Sequence, residues 1–316
     1  MTVEGGAATL VVSPSGESLL YDAGWAVDDR DAKRIVAVAH QAGLKKIDAF
    51  VLSHYHADHV GGLPALAKLM PIDRFYDHGE DVEEVDRERL DTYKKVAGGK
   101  RTILKAGDMI PLKGVRAEVV ASNGVFITRP VNGGGASNPS CVNAERKPKA
   151  PPENWRNVGT LFTYGRFTFL DLADLDWASE LDLTCPANKL GTVTLWQTSR
   201  HGALDGAGAP AFLSAITPQV IVANNGPRKG LGQGASPSSA YQKIATLPGV
   251  EDIWQGHRAL LAPADNTSDD RIANFEETAE CQGHWIKASV TLDGTLTMTN
   301  DRNGFSKTYK ARERRR

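Results

Sequence analysis

Residues 51–62, VLSHYHADHVGG, place three of the chain's eight histidines and an aspartate within six positions: His54, His56, Asp58 and His59. His54 and His56 are two residues apart, so on an extended segment their side chains project to the same side. Neutral imidazoles and a carboxylate are ligands for Zn²⁺, and for iron or manganese when more oxygen donors are present. Without a metal, burial of these groups would leave hydrogen-bonding atoms unsatisfied. The spacing therefore predicts a metal site.

The elements around this segment predict how the cluster is positioned. KIDAFVLS is an apolar stretch that predicts a strand ending at His54, and GLPALAKLM predicts a helix beyond the cluster. Between them, Gly61 and Gly62 allow tight backbone geometry, so we expect Asp58 and His59 to lie where the chain turns. Ligands usually bind at the carboxyl ends of strands in α/β proteins, which is where the cluster would lie.

The pattern HxHxDHxGG resembles the signature of the metallo-β-lactamase superfamily. The resemblance implies an α/β fold, a four-layer αββα sandwich with a one- or two-metal site at its edge. SLLYDAG resembles the preceding family motif, whose aspartate, here Asp22, supports the metal loop. FTFLDLADLDW resembles the motif of the bridging aspartate, and SRHG resembles the late His-His-Gly motif of the competence-protein (DNA-uptake) branch.

This resemblance implies two Zn²⁺ ions, with Mn²⁺ or Fe²⁺ as alternatives, and six protein ligands: Asp58, His59 and His201 for one metal, His54 and His56 for the other, and Asp174 as the bridge. Asp58 and His201 are also the expected catalytic residues. Asp171 competes for the bridging role, but strand alternation would bury Asp171 or turn it away. For Asp174 itself, a cap of the helix LDWASEL is the alternative role.

The chain departs from the family pattern at the metal held by two histidines. Many members of the superfamily have another histidine between the signature and the bridging aspartate. This chain has no histidine between His78 and His201, so the third protein ligand of that metal must come from elsewhere or be absent. Asn157 and His257 are the candidate substitutes. Arg200 stands where the first histidine of the late motif would be. A catalytic zinc normally has three protein ligands and a water, so we expect unequal occupancy of the two positions.

Further candidates for the pocket are His78, Asn225 and Arg228. His78 ends one predicted strand, and the loop NNGPRKG, residues 224–230, ends another on the same side of the predicted sheet. Arg228 and Lys229 in this loop could contact an anionic substrate. A solvated turn is the alternative.

A single domain over residues 1–316 is expected, because strands and helices follow one another without a clean linker. Residues 129–157 carry almost no periodicity, which is typical of a lid, a binding loop or a disordered segment. If they cover the pocket, shortening them should change KM or substrate range more than stability. The basic tail, residues 311–316, is interpreted as solvated, with a phosphate-binding arm as the alternative.

The three cysteines, Cys141, Cys185 and Cys281, are too few and too scattered for a zinc knuckle. They are either ordinary thiols or one disulfide with an odd thiol, and a bridge between Cys141 and Cys185 is conceivable. A disulfide would suggest export. Members of the competence-protein branch usually begin with a full apolar strand before the glycine-containing turn that VEGGAATL resembles. Here Met1 lies almost at that turn, so the chain looks clipped, as after loss of a leader. An exported mature form is therefore favoured over a cytoplasmic one.

Charge and hydropathy limit the function. The net charge is −1, with 37 basic and 38 acidic residues, and no apolar run approaches the roughly 20 residues of a membrane span. A long-polymer nuclease would normally show a basic stripe, so a small-molecule substrate is favoured over nucleic acid. The family resemblance implies a hydrolase whose metal-bound hydroxide attacks an ester or phosphodiester. Alternatives are β-lactamase or lactonase activity, and a non-catalytic metal- or DNA-binding module of the same fold.

Overall fold

Across residues 5–232, 240–277 and 281–313, which the computed structural model describes, the strands form three sheets. The first sheet follows chain order: β1 (Thr9–Val12), β2 (Ser18–Tyr21), β3 (Ala49–Val51), β4 (Phe75–Asp77) and β5 (Arg101–Ile103). The first two strands form an antiparallel hairpin, and the others are parallel. Its helices are α1 (Arg30–Gln41), α2 (Ala57–Val60), α3 (Leu63–Leu69) and α4 (Arg87–Ala97).

The second sheet has eight strands: β6 (Met109–Ile110), β7 (Arg116–Ser122), β8 (Val125–Phe126), β9 (Gly159–Tyr164), β10 (Phe167–Asp171), β11 (Leu195–Gln197), β12 (Val220–Ala223) and β13 (Asp252–Gln255). Their order is β13-β12-β11-β10-β9-β7-β6, and β8 pairs with β7. From β10 to β13 the strands are parallel, so their carboxyl ends lie at one edge. The associated helices are α5 (Pro152–Arg156), α6 (Trp177–Thr184), α7 (Pro210–Ile216) and α8 (Ala240–Ala245).

Alternation along the strands builds the layers. Leu19 and Tyr21 belong to the apolar core between the two sheets, whereas Leu20 belongs to the core between the first sheet and its helices. In the second sheet, Phe169 faces the first sheet and Leu170 packs with α6 and α7. Each of these two sheets therefore buries both faces, which gives the predicted four-layer αββα arrangement.

A third, antiparallel sheet closes one side of the sandwich with β14 (Ile286–Val290), β15 (Thr295–Asn300) and β16 (Ser306–Lys310). Leu296, Met298 and Tyr309 are buried in the core between the two large sheets. The Tyr309 hydroxyl donates to Asp252 Oδ2 at 2.7 Å, which attaches this sheet to β13.

The aperiodic segment 129–157 is attached to α6 and α7. A disulfide joins Cys141 to Cys185, and Asn138 Nδ2 donates to the carbonyl oxygens of Thr184 and Ala211. The bridge considered from the sequence is therefore present, while Cys281 is buried with its Sγ 3.6 Å from Asn274 Oδ1. A lid function for the segment stays a prediction.

Two features at the chain ends extend beyond the described residues. Residues 1–4, which include Met1, and residues 314–316 of the predicted basic tail lie outside them. Among the helices within the described ranges, none combines the length and apolar character that a membrane crossing needs.

Candidate metal centre

The metal-loop residues lie in a short helix rather than in a turn, which corrects the expectation from Gly61 and Gly62. Helix α2 contains Asp58 and His59, and the Val60 amide donates to the His56 carbonyl. Gly62 has an ordinary helical backbone, but a Cβ there would lie 2.1 Å from the Ala23 carbonyl oxygen. The glycines are needed because the preceding loop approaches closely.

The first group of ligand atoms comes from three separate segments: helix α2, the loop after β10 and the loop after β11. Asp58 Oδ2 lies 3.3 Å from His59 Nε2 and 3.1 Å from His201 Nε2. Asp174 Oδ1 lies 3.5 Å and 3.3 Å from the same two nitrogens. All four side chains are buried. Such a group can hold one cation.

The second group consists of His54, His56 and, again, Asp174. His54 Nε2 lies 2.9 Å from His56 Nδ1, and one ligand atom from each of the three residues lies within 4.8 Å of the others. Because Asp174 belongs to both groups, the arrangement is compatible with a binuclear metal site.

Asp22 and Ser53 hold His59 in place. Asp22 Oδ1 accepts a hydrogen bond from the Ser53 amide, and Oδ2 accepts from the Ser53 hydroxyl, both at 2.7 Å. Oδ2 also lies 2.7 Å from His59 Nδ1. This contact directs His59 Nε2 into the first group and leaves it available as a ligand, as carboxylate partners of metal-binding histidines usually do. The sequence pointed to Asp22 but missed Ser53.

Asn157 positions Asp174 instead of joining the ligands. Its Oδ1 accepts from the Asp174 amide at 3.1 Å, and its Nδ2 donates to the carbonyl oxygens of Val158 and Leu172 at 2.8 Å. Both polar ends of the Asn157 side chain are therefore hydrogen-bonded to backbone groups. Asn157 lies outside both groups of ligand atoms.

The two alternatives around Asp174 are resolved by its neighbours in sequence. Asp176, not Asp174, caps α6, because its Oδ1 accepts from the Ser179 amide at 2.9 Å. Asp171 is buried, outside both ligand groups, where its Oδ2 accepts from Gln197 Nε2 at 2.9 Å. Burial raises the pKa of Asp171 to about 7.

The loop that carries His201 has an unusual backbone. Arg200 and His201 both adopt left-handed conformations, with φ of 51° and 57°. Non-glycine residues in such regions cost on the order of 1–3 kcal/mol each and cluster at functional sites. The loop is held from α6, where Glu180 accepts from the Ser199 hydroxyl at 2.8 Å and from the Ala209 amide at 2.9 Å.

The pKa values of the buried imidazoles are shifted in opposite directions. Burial and the neighbouring His59 and His56 hold the pKa of His54 well below its usual range, so His54 is neutral at pH 7. Burial opposes protonation of His59 as well, but the carboxylates of Asp58 and Asp22 outweigh it and hold the pKa of His59 well above its usual range.

The carboxylates of both groups remain ionised. Burial opposes their ionisation, yet His59 and His201 hold the pKa values of Asp58 and Asp174 below their usual range. His59 Nε2 and Asp174 Oδ1 are both buried, and neither has a hydrogen-bond partner among the described residues. Unpaired nitrogen and carboxylate atoms that converge at one point fit a divalent cation such as Zn²⁺.

Comparison with known families agrees with this donor set. The family model described as Metallo-beta-lactamase superfamily matches residues 1–169, more than half of the 316-residue chain. The chain belongs to this superfamily. Members of the superfamily are mostly metal-dependent hydrolases. No curated protein matches the sequence significantly.

Solved structures of this superfamily are similar only at a distance. The metallo-β-lactamase fold protein YhfI from Bacillus subtilis is 14% identical, with 79% of this chain and 88% of that chain covered and a TM-score of 0.48. Zn²⁺-bound PqqB from Methylobacterium extorquens is 15% identical over 70% and 78%, with a TM-score of 0.43. The metallo-β-lactamase of Cronobacter sakazakii is 16% identical, with a TM-score of 0.33, and this chain spans only 56% of its length.

Beyond the superfamily signature, two carboxylates that the sequence did not indicate lie beside His56. His56 Nε2 is 3.9 Å from Asp86 Oδ2 and 4.0 Å from Glu83 Oε1, and Asp86 is fully buried. These three residues form another group of potential ligand atoms. Both acidic residues precede a charged helix, so nothing in their local pattern distinguished them from solvent-exposed side chains.

Three predicted pocket residues make contacts elsewhere. Both ring nitrogens of His257 lie near backbone carbonyl oxygens, at 3.1 Å from Arg258 and 2.7 Å from Glu276. His78 Nε2 lies 3.2 Å from Glu153 Oε2 in a buried pair, and Asn225 Nδ2 donates to the His257 carbonyl at 2.7 Å. None of the three predicted residues belongs to a group of ligand atoms among the described residues.

The basic residues near the site also differ in whether they reach the ligand atoms. Lys229, rather than Arg228, reaches the cluster: its ammonium contacts Asp58 Oδ2. Arg228 is exposed and pairs with Glu277 at 2.6 Å. A Cβ at Gly206 would lie 3.1 Å from Arg200 Nε, so the Arg200 side chain packs against that glycine. Sequence alone had no means of deciding which of two adjacent basic residues points inward.

Proposed function

We propose that this chain is a binuclear metal-dependent hydrolase with Zn²⁺ at both positions, or Mn²⁺ or Fe²⁺ in its place. The observation that carries the proposal is the sharing of Asp174 between two groups of histidine and carboxylate ligand atoms. His54 and His56 would hold one ion, and Asp58, His59 and His201 the other. Imidazole and carboxylate donors in these numbers suit Zn²⁺.

The residues that surround the proposed metal positions would have different roles in the reaction. When bound, divalent metals would lower the pKa of water to about 7 and polarise a substrate oxygen. Asp58, ionised and at the centre of the first group, would orient the attacking water by accepting its hydrogen bond. Asp22 keeps the His59 ring directed into the group through the contact at Nδ1. His201 stays, with Asp58, a predicted catalytic residue.

Lys229 supports an anionic substrate, and so a phosphodiester or a charged ester of modest size. Its ammonium contacts Asp58 Oδ2 and lies 5.1 Å from the centre of the Trp25 ring. A cation bound by Asp58 would compete for the same oxygen, which would free the ammonium to pair with a substrate anion at the edge of the site. The net charge of −1 supports a small substrate over a nucleic acid polymer.

We also propose a branch of the superfamily and an exported location for this chain. The motif SRHG supports a position near the competence-protein branch of the superfamily. The disulfide between Cys141 and Cys185 supports export, since disulfides persist in oxidising compartments.

The test is hydrolysis by metal-reconstituted protein of bis(p-nitrophenyl) phosphate, p-nitrophenyl acetate, a lactone and a cephalosporin. We expect turnover of the phosphodiester or the ester, and its loss in Asp174→Asn. Lys229→Met should raise KM for the anionic substrate and leave KM for the neutral ester unchanged, whereas Lys243→Met, at an exposed lysine of α8, should change neither. Full metal content without turnover of any substrate would instead favour a non-catalytic binding module.

A further inference from the structure

A cavity of about 630 Å³ lies between the two large sheets and is closed on one side by the third sheet. Its walls come from β1, from the end of α1, from β9 to β12, and from β14 and β15. Small-molecule sites typically enclose about 300–1,000 Å³, so this volume is sufficient for a ligand. None of the six predicted metal ligands is among the described residues that line it.

The interior of this cavity is apolar and aromatic. Phe162, Phe169, Leu195 and Met298 line it and are otherwise buried. The rings of Phe162 and Phe169 stack with centres 5.6 Å apart. Such a lining favours the hydrocarbon part of a ligand, because transfer of apolar surface out of water is favourable.

Side chains of the protein do not fill the space. Val220 and Val222 point to the same side of β12, a strand with neighbours on both edges. Val220 is fully buried, but Val222 stays partly exposed because it faces the cavity. Leu10 and Ile286, on the surrounding walls, are also partly exposed. Protein interiors normally pack without voids of this size, so the gap indicates a place for another molecule.

The deep polar residues satisfy one another. Gln197 Nε2 donates to Asp171 Oδ2 at 2.9 Å, and Thr9 Oγ1 lies 3.2 Å from Gln197 Oε1. A charged headgroup at this end would therefore meet an ionisable carboxyl and polar groups already engaged with each other. An apolar tail is the part of a ligand that this end accepts.

The outer end has the opposite character. Lys287 is exposed and is the one charged side chain among the described residues that line the cavity. It forms no ion pair with a carboxylate in the described part of the chain, and its Nζ lies 5.5 Å from the centre of the Trp285 ring. Trp285 Nε1 in turn donates to Gln41 Oε1 at 3.1 Å. The rim therefore offers a positive charge beside an aromatic ring.

We propose that this cavity binds an anionic amphiphile, a carboxylate with a linear hydrocarbon chain. The chain lies between the sheets against the phenylalanine rings, and the carboxylate pairs with Lys287 at the rim. This site is separate from the proposed hydrolase function, because its lining shares no residue with the predicted metal ligands.

Titration of the full chain with dodecanoate, below the concentration at which dodecanoate forms micelles, tests the proposal. We expect one equivalent to bind, with equal affinity in metal-loaded and metal-free protein. Val222→Trp should weaken binding by about five-fold or more, because overpacking of an interior typically costs at least that much. Lys287→Glu should weaken binding of dodecanoate by up to about five-fold and leave binding of dodecanol unchanged, while Lys243→Glu serves as the matched control.

Because Val222→Trp could disturb folding, Ala288→Trp blocks the same cavity from an exposed position of β14. Thermal unfolding of each variant checks that it is folded. Absence of dodecanoate binding by the unaltered chain would overturn the proposal, as would undiminished binding by a folded Val222→Trp or Ala288→Trp variant. An equal loss of dodecanol binding in Lys287→Glu would overturn the placement of the carboxylate.

Discussion

At the scale of single residues, the position of Asp174 depends on its neighbours more than on its strand. β10 ends at Asp171, and Ala173 then adopts a left-handed conformation with φ of 43°. Asn157 fixes the Asp174 amide from another segment. The carboxylate consequently faces both histidine groups, and the strain at Ala173 is compensated by the surrounding contacts.

His56→Ala and Asp58→Ala should each lower metal affinity by at least about 10–100-fold, because even the loss of an outer partner of a ligand typically costs that much. Both variants should remain folded, since neither side chain belongs to an apolar core cluster. Metal content after dialysis against a chelator, together with thermal unfolding, measures both effects. His40→Ala, which removes an exposed histidine from α1, is the control. Full metal retention by either site variant would contradict the assignment.

At the scale of elements, Glu180 links α6 to the loop that carries His201. Burial raises the pKa of Glu180 to about 8, whereas an unperturbed glutamate titrates near about 4.3. Between these values the folded chain binds a proton that the unfolded chain releases. The contribution of Glu180 to the free energy of unfolding is therefore complete below about pH 4.3 and is lost as the pH rises to about 8.

Glu180→Gln should accordingly reduce the fall in unfolding free energy between pH 5 and pH 8, because glutamine is neutral at both values. Urea unfolding at the two pH values, on metal-free protein, is the measurement. Glu88→Gln removes an exposed carboxylate from α4 and should leave the dependence unchanged. The same pH dependence in Glu180→Gln and in the unaltered chain would show that Glu180 does not titrate in this range.

The segment 129–157 gains its attachment from the disulfide that joins residues 44 positions apart. Replacement of Cys141 and Cys185 by serine should lower the free energy of unfolding by about 3–4 kcal/mol, the entropy of a loop of that length. Metal affinity should not change, because neither cysteine belongs to a group of potential ligand atoms among the described residues. Urea unfolding and metal titration of the double variant separate the two effects. A loss of metal binding with unchanged stability would point to a role at the site instead.

At the scale of the whole molecule, the two groups of ligand atoms differ in number. The first has four residues and the second three, with Asp174 shared. A shared carboxylate is a weaker donor to each metal than an undivided one, so the group containing His54 and His56 should bind more weakly. Purified protein should therefore hold less than two equivalents.

Calorimetric titration of Zn²⁺ into metal-free protein should resolve a tight and a weaker event. Each bound metal should also raise the free energy of unfolding by about 2.7 kcal/mol when its free concentration is 100 times its Kd. The melting temperature should rise accordingly. Asp174→Asn should weaken both events, since Asp174 belongs to both groups. Two indistinguishable tight sites would contradict the inequality, and Asp86→Asn would then test whether the carboxylate beside His56 supplies the missing donor.

The sequence by itself determined the features that depend on neighbours along the chain. The projection of His54 and His56 to one side, the strand in KIDAFVLS and the helix in GLPALAKLM were predicted from the periods of strand and helix, which operate over a few residues. Short motifs also indicated the six side chains that the structure brings together in two groups of potential ligand atoms. The local pattern failed only where a distant segment intervened, as at Gly62, where the Ala23 loop requires a glycine within helical geometry.

Only the tertiary structure decided which side chains meet across the chain. Lys229 rather than Arg228 at Asp58, Asp86 beside His56, and Asn157 as a support for Asp174 are contacts between segments separated by 17 to 171 positions. No local period specifies such contacts, because they depend on how whole layers pack against one another. The cavity between the sheets has the same origin: each strand around it has an ordinary apolar pattern, and only their packing leaves Val222 uncovered.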